Sequence, residues 1–383
     1  MAIGKHTAKF DPTSARAKCP RYEQIRYLAV FSLGAKGPVV SKSMHRKLLG
    51  NEEYCLQIDP HSTLSENWDD KLKKEYLSTK NEFAIISTTP QPMERQSEYD
   101  AGGSKSTEVV RRCHLEFAPS GIPWFTLPDG MAENLEEPLL SHSWNAGFSF
   151  SKCHLHESTP YDCFLPQIFD TEEFPHFVRF WTRGYDVYTP TQNIVFHMNK
   201  KYGEYDSKGF RKNERERKES LTRIKTLLQL PGGDNDEAAM GNLGVYGLGR
   251  RRTLSQLEAF CGIDLGGRNT AEVPHCGKQE WVPYDLAVGP MENFYHGKGD
   301  GVDPNPIFPL RTVLNQIPKV LTKEDEGRNL ETDATDQGAA PFKTLLILWI
   351  LGGFIWYSVF IKGTKTGGTR KKNKKHFDST KDK

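Results

Sequence analysis

Apolar positions in the first hundred residues fall in short blocks separated by polar, Gly- and Pro-containing stretches. Residues 25–33 (IRYLAVFSL) form an apolar, β-branched and aromatic run of strand length. Gly37-Pro38 opens a helical stretch to Leu49, and residues 54–58 (YCLQI) give a second strand that ends at Asp59-Pro60-His61. The pattern predicts a helix over 65–79 and a third strand over 83–87 (FAIIS). Strand, helix, strand, helix, strand at this spacing indicates an α/β sheet. Residues 91–112 are polar and read as loop. A further helix over 214–228 pairs Glu214 with Lys218 and Glu219 with Arg223 at i,i+4, with Leu221, Ile224 and Leu228 on one face.

One run is of another kind. Residues 344–361 (TLLILWILGGFIWYSVFI) are eighteen uncharged positions, and a helix of that length rises about 27 Å, close to the roughly 30 Å hydrocarbon core of a bilayer. An acidic stretch precedes it and KGTKTGGTRKKNKK follows it. The expected plan is a body over 19–318, an acidic linker over 323–341, one transmembrane helix over 342–361 and a basic tail over 362–383.

Charge sharpens that plan. The tail carries nine basic and two acidic side chains, net +7, leaving −5 for residues 1–361 because the whole chain sums to +2. A balance so close to neutral gives no basis for a nucleic-acid partner. The seven cysteines (Cys19, Cys55, Cys113, Cys153, Cys163, Cys261, Cys276) are odd in number and thinly spread, which suits reduced structural thiols. The first 18 residues hold no apolar run, so no secretory signal is visible, and no Asn-x-Ser/Thr sequon occurs.

The chemistry concentrates in residues 54–70, YCLQIDPHSTLSENWDD. A carboxylate and an imidazole two residues apart, just past a strand's C-terminal end, lie at the edge where α/β sheets bind ligands. Asp59 and His61 together offer one hard oxygen and one nitrogen, a set suited to Mn²⁺ or Mg²⁺ bridging a diphosphate. Asp-x-His alone is a weak signal, and on the motif alone the plainer reading is favoured, with Asp59 capping a following turn that Pro60 opens. The glycines of 241–252 (GNLGVYGLGRRR) lack a preceding strand and a P-loop Lys-Ser/Thr, so they read as a turn entering the next helix. The group Cys153, His154 and His156 has no second spaced pair and makes a poor zinc site.

The order of blocks resembles the cytoplasmic glycosyltransferases that attach N-acetylglucosamine to a hydroxyproline on the adaptor subunit of cullin–RING ubiquitin ligases. The matching residues begin with Gly37-Pro38, Glu52-Glu53-Tyr54, Leu56-Gln57-Ile58-Asp59, His61, Trp68-Asp69 and Phe83–Ser87. They continue through Pro160-Tyr161-Asp162, Leu165-Pro166, Phe169, Glu172-Glu173, Arg179, Trp181-Thr182 and Gly184-Tyr185-Asp186 to His197. Tyr246–Gly249 and Arg252-Thr253-Leu254 extend the likeness, which spans roughly 19–265. Pro60 stands where that family has Ser, Ser41-Lys42 where it has Ala-Arg, and Thr171 where it has Gly. The family's uridine-holding first strand has no counterpart upstream.

The resemblance implies a GT-A type nucleotide-sugar fold, with an incomplete first strand region, and a metal-dependent, retaining transfer of N-acetylglucosamine from UDP-N-acetylglucosamine to a protein hydroxyl. By the same likeness the metal ligands are Asp59, His61 and His197. Glu172 and Glu173 fall at the sugar and acceptor site as catalytic candidates, and Lys42, Trp68, Asp69, Lys200 and Lys201 at the donor. Each of these has a plainer alternative: an exposed acidic turn for the glutamates, a solvated loop for Lys200 and Lys201, a packing anchor for Trp68. The competing functional reading is a degenerate transferase, or a membrane-tethered scaffold, that binds without turnover. With no signal sequence and a span near the C-terminus, the expected topology is a tail anchor with the body in the cytosol. The positive-inside rule argues the reverse, since it would keep the +7 tail cytosolic.

Overall fold

The computed structural model describes residues 35–100, 107–198, 213–233, 240–270 and 279–284, apart from 113, 127–129, 170 and 242, together with 24–26, 28 and 344–347. The chain divides into two compact units, Arg26–Phe354 and a second made of Met1–Ile25 with Ile355–Lys383. The second unit lies almost wholly outside the described residues, and the elements below belong to the first.

In chain order the elements begin with helix α1 (Pro38–Ser43), a 3₁₀ turn (Met44–Lys47), strands β1 (Tyr54–Ile58) and β2 (Ser62–Leu64), and helix α2 (Trp68–Ser78). Strands β3 (Ala84–Ile86) and β4 (Gln91–Pro92) and helix α3 (Gln96–Asp100) follow. Five short strands come next: β5 (Val109–Arg111), β6 (Leu115–Phe117), β7 (Pro123–Phe125), β8 (Gly130–Ala132) and β9 (Leu139–Ser141). Then come β10 (Phe148–Lys152), α4 (His154–Ser158), α5 (Glu173–Trp181), β11 (Asp186–Thr189), β12 (Val195–His197), α6 (Glu214–Leu227) and α7 (Leu254–Cys261). The hairpin strands β13 (Ile263–Asp264) and β14 (Asn269–Thr270) and the distant β15 (Thr344–Ile347) complete the order.

The main sheet is mixed, in the order β15-β1-β10-β3-β11-β9. β1 runs antiparallel to β10 and parallel to β15, while β3 runs parallel to β11. Side chains alternate across the strands. Tyr54, Leu56 and Ile58 join Ala84, Ile86, Phe148, Phe150 and α2's Leu72 and Tyr76 in one apolar layer. Ile85 and Val187 face the other way, into a larger core built on α5, α6 and α7. Sequence dictates that arrangement: α5 reads EFPHFVRFW, and Phe174, Phe177, Val178, Phe180 and Trp181 are all buried in that core. Gln57, also on that side of β1, is buried but satisfied, donating to the Ala146 carbonyl at 2.6 Å and to the Tyr161 hydroxyl at 2.8 Å. A smaller sheet, β2-β12-β4, lies beyond the C-terminal end of β1.

Several expectations need correction. Residues 91–112 are not loop throughout, because β12 recruits β4 and β5 pairs with β8. The helix expected from residue 65 starts at Trp68, since residues 62–64 pair with β12 and the Ser65 amide donates to the Ile194 carbonyl at 2.9 Å. Cys55 and Cys153 form a disulfide rather than reduced thiols. Cys55 pairs with Ser151 in the β1/β10 register, so Cys153 lies two residues further on, just past the end of β10, with its Cα 5.0 Å from that of Cys55. The expected strand over 25–33 lies largely outside the described residues. Of the expected membrane helix, Thr344–Ile347 is instead a strand on β1, and 348–361 lies outside the described residues. Among the described residues no helix is long and apolar enough to cross a membrane.

Candidate metal and donor site

Asp59 is the first residue beyond β1, and its amide donates to the Gly147 carbonyl at 3.3 Å. Pro60-His61 turns the chain directly into β2, so no helix begins at Asp59 for it to cap. The carboxylate is therefore not used as a helix cap. β2 pairs antiparallel with β12, placing His197 opposite Ser62, and the Met198 amide donates to the His61 carbonyl at 3.0 Å. That short ladder unites residues 136 positions apart in sequence (61 and 197). His197 Nε2 lies 3.4 Å from Asp59 Oδ2, and the two imidazole rings are 4.3 Å apart.

One ligand atom from each of Asp59, His61 and His197 lies within 4.8 Å of the others, the only such cluster among the described residues. The donor set fits a divalent ion, with one carboxylate oxygen and two imidazole nitrogens around one point. Gly147 supports the fit, because a Cβ there would meet Asp59 Oδ2 at 2.8 Å. Burial pushes the Asp59 pKa up, but the His197 hydrogen bond and the charges of Lys42, His197 and His61 outweigh it and hold the group below the usual carboxylate range. Burial and neighbouring His197 lower the His61 pKa, against the pull of Asp59. Both trends favour the protonation states that bind a cation.

Behind Asp59 stands a buried ion pair between Lys42, at the end of α1, and Glu172, just before α5. The Lys42 ammonium lies 5.4 Å from the Tyr161 ring centroid, and that ring stacks on His176 at 4.1 Å. Glu172 Oε1 takes Lys42, while Oε2 is buried with no hydrogen-bond partner. Burial raises the Glu172 pKa; Lys42 opposes this, and Glu173 and Asp59 add to it. Glu173 differs from its neighbour: Oε1 accepts from the Ala146 amide at 2.9 Å and Oε2 from Arg112 at 3.3 Å. Oε1 thus holds the turn whose next residue, Gly147, receives the Asp59 amide, while Oε2 ties α5 to Arg112, which also donates to the Phe125 and Thr126 carbonyls.

Of the other sequence candidates, Trp68 packs on the layer formed by β1 and α2 beside Leu64 and Tyr188, as an anchor does. Asp69 is half-buried in the first turn of α2. Lys200 and Lys201 lie outside the described residues. Cys153 is consumed by the disulfide and His154 Nδ1 contacts the Tyr185 hydroxyl at 2.8 Å, so no zinc site forms there. The glycine stretch enters α7 as a turn, with Gly249 packed where a Cβ would lie 2.4 Å from the Thr182 carbonyl. A small cavity of about 20 Å³ adjoins Glu172, but its walls include Val39, Leu165, Leu227 and the Asp162–Arg223 pair, and the Asp59 cluster lines none of it. The chemistry follows the ligand cluster rather than that interior gap. Sequence reasoning missed Asn145–Gly147, whose Asn-Ala-Gly turn beside a strand was the available signal.

The family model described as Glycosyltransferase (GlcNAc) matches residues 5–266, and the chain belongs to that family of glycosyltransferases. No curated protein matches the chain. Among solved structures, a crystal structure of GalNAc-T7 with UDP, GalNAc and Mn²⁺ is similar at 13% identity with a TM-score of 0.38. That match covers 58% of this chain and spans 43% of the GalNAc-T7 chain.

Proposed function

We propose that this glycosyltransferase moves N-acetylglucosamine from UDP-N-acetylglucosamine to a protein hydroxyl, hydroxyproline by resemblance, with retention, on a GT-A type sheet. The observation that carries the reading is the Asp59, His61 and His197 cluster at the end of β1 in a GlcNAc glycosyltransferase. A divalent ion held by these three would neutralise the diphosphate leaving group. Two imidazoles beside one carboxylate favour Mn²⁺ over the harder Mg²⁺. In the transfer the bond from C1 to the UDP oxygen breaks, a bond from C1 to the acceptor oxygen forms, and the hydroxyl proton passes to the leaving phosphate. Lys42 supplies positive charge behind Asp59, Glu172 holds that ammonium in place, and Glu173 fixes the turn behind Asp59. Trp68, Asp69, Lys200 and Lys201 complete the proposed donor side.

Calorimetry of UDP with and without Mn²⁺ tests the assignment: binding should require the metal and vanish in Asp59→Ala. Equal heats for wild type and variant would sink it. Metal-dependent UDP binding without consumption of UDP-N-acetylglucosamine would favour the degenerate, scaffold-like reading.

Residues 342–361 form the membrane anchor in this proposal in a state where Thr344–Ile347 have left β1, with the body facing the cytosol. The Cys55–Cys153 disulfide favours the opposite orientation, because such bonds persist in oxidising compartments. Protease treatment of sealed microsomes separates the two: digestion of the body places it in the cytosol, and its protection places it in the lumen.

A further inference from the structure

The main sheet gains its outermost strand from the far end of the chain. β15 pairs with β1 in parallel register, Tyr54 with Thr344, Cys55 with Leu345, Leu56 with Leu346 and Gln57 with Ile347. β1 is buried along its whole length, and its other neighbour is β10. Without β15, one edge of β1 would present a row of unpaired amides and carbonyls, a template for pairing with another chain. The occupying strand is cut from the longest uncharged run in the sequence, residues 344–361.

Length decides whether that run can do both jobs at once. All eighteen residues as a helix reach about 27 Å, near the roughly 30 Å of hydrocarbon they must cross. With Thr344–Ile347 committed to β1, residues 348–361 remain. Those fourteen positions give a helix of about 21 Å, too short to span. The four strand residues cannot serve as backbone in the sheet and in a transmembrane helix together, since each amide has one hydrogen to donate.

We propose that strand docking on β1 and membrane insertion are mutually exclusive states of this segment. Docking withdraws it from lipid and seals the sheet; insertion uncovers the edge of the strand that leads into Asp59. The insertion half rests on the anchor proposed above, and the docking half does not.

Hydrogen exchange of the peptide covering Tyr54–Ile58, followed by mass spectrometry on the full chain, reads both states. In lipid-free buffer the peptide should exchange slowly. Leu346→Pro, which removes a backbone donor and breaks the strand, should speed it by about tenfold or more while α5 stays protected. Insertion into phospholipid vesicles, verified by flotation, should give the same acceleration in the unmodified chain. Unchanged exchange in Leu346→Pro overturns docking, and slow exchange in the inserted chain overturns exclusivity. If the substitution unprotects α5 as well, the comparison with and without vesicles decides, since it needs no variant. A chain that never floats refutes the anchor and with it the two-state exchange. No arm measures activity, so failure of the metal-site assignment leaves this result readable.

Discussion

Replacing Lys42 with Met is the sharpest perturbation of the interior behind Asp59. The side chains of Lys42 and Glu172 are 5% and 9% exposed, so neither charge has water to fall back on. The substitution removes the partner of Oε1 and leaves a carboxylate whose Oε2 already has none. Breaking a buried pair in this way costs about 3–5 kcal/mol, against a total stability of about 5–15 kcal/mol for a domain. The effect should depend on pH with a defined sign. Burial already raises the Glu172 pKa, and losing Lys42 raises it further. Between the two folded-state pKa values the variant's native state binds more protons than the wild type's, so the variant loses relative stability as pH rises through that window and recovers it below. Urea unfolding at about pH 5 and about pH 8 measures this directly. The penalty should be larger at the higher pH, and Lys42→Met combined with Glu172→Gln should recover most of it. An equal penalty at both pH values, or no recovery in the double variant, would refute the argument.

Gly147→Ala should weaken Mn²⁺-dependent UDP binding about ten- to a hundredfold by calorimetry, because the new Cβ would meet Asp59 Oδ2 at 2.8 Å. The fold itself should survive, since the close contacts are the side-chain oxygens of Asp59 and, at 3.0 Å, Asn145 rather than backbone. His156 is buried with its pKa lowered to about 4 by burial and by His154, from an ordinary 6.5. The unfolded chain therefore binds more protons between those values, and stability should fall by about 3 kcal/mol as pH drops through that window. His156→Gln should flatten this acid limb in pH-dependent unfolding; an unchanged slope would remove His156 as its source.

Local pattern carried the parts of this fold that are decided locally. YCLQI, FAIIS and the 214–228 helix were legible because alternation, β-branching and i,i+4 pairing are properties of neighbours in sequence. The β2, β4 and β5 strands were not, since two or three residues of Ser, Thr, Gln or Val have no period of their own and become strands only when β12 or β8 supplies the partner. The disulfide escaped for the same reason: a separation of 98 residues between Cys55 and Cys153 says nothing until β1 and β10 are known to be adjacent.

The site divides along the same line. Asp59 and His61 were suggested by their position at a strand end, a weak signal by itself that the family likeness raised. His197 entered through family likeness alone, and the structure supplies its physical reason in the β2/β12 ladder that brings it to the turn. Glu172 and Glu173 are adjacent and identical in type, and no sequence rule separates them. What separates them is partner supply: Glu173 has both oxygens satisfied by Ala146 and Arg112, whereas Glu172 has one oxygen on Lys42 and one on nothing. A buried carboxylate with an unused oxygen costs stability wherever it sits. The Lys42–Glu172 pair lies close enough for Lys42 to lower the pKa of Asp59 and for Asp59 to raise that of Glu172. The chain thus carries its one incompletely satisfied buried acid of this pair in the place where the field at a ligand carboxylate is set. A polar arrangement kept solely for stability would be replaceable there by well-packed apolar side chains of similar volume. The Lys42→Met, Glu172→Gln double variant separates those roles, because it restores stability while removing the positive charge behind Asp59.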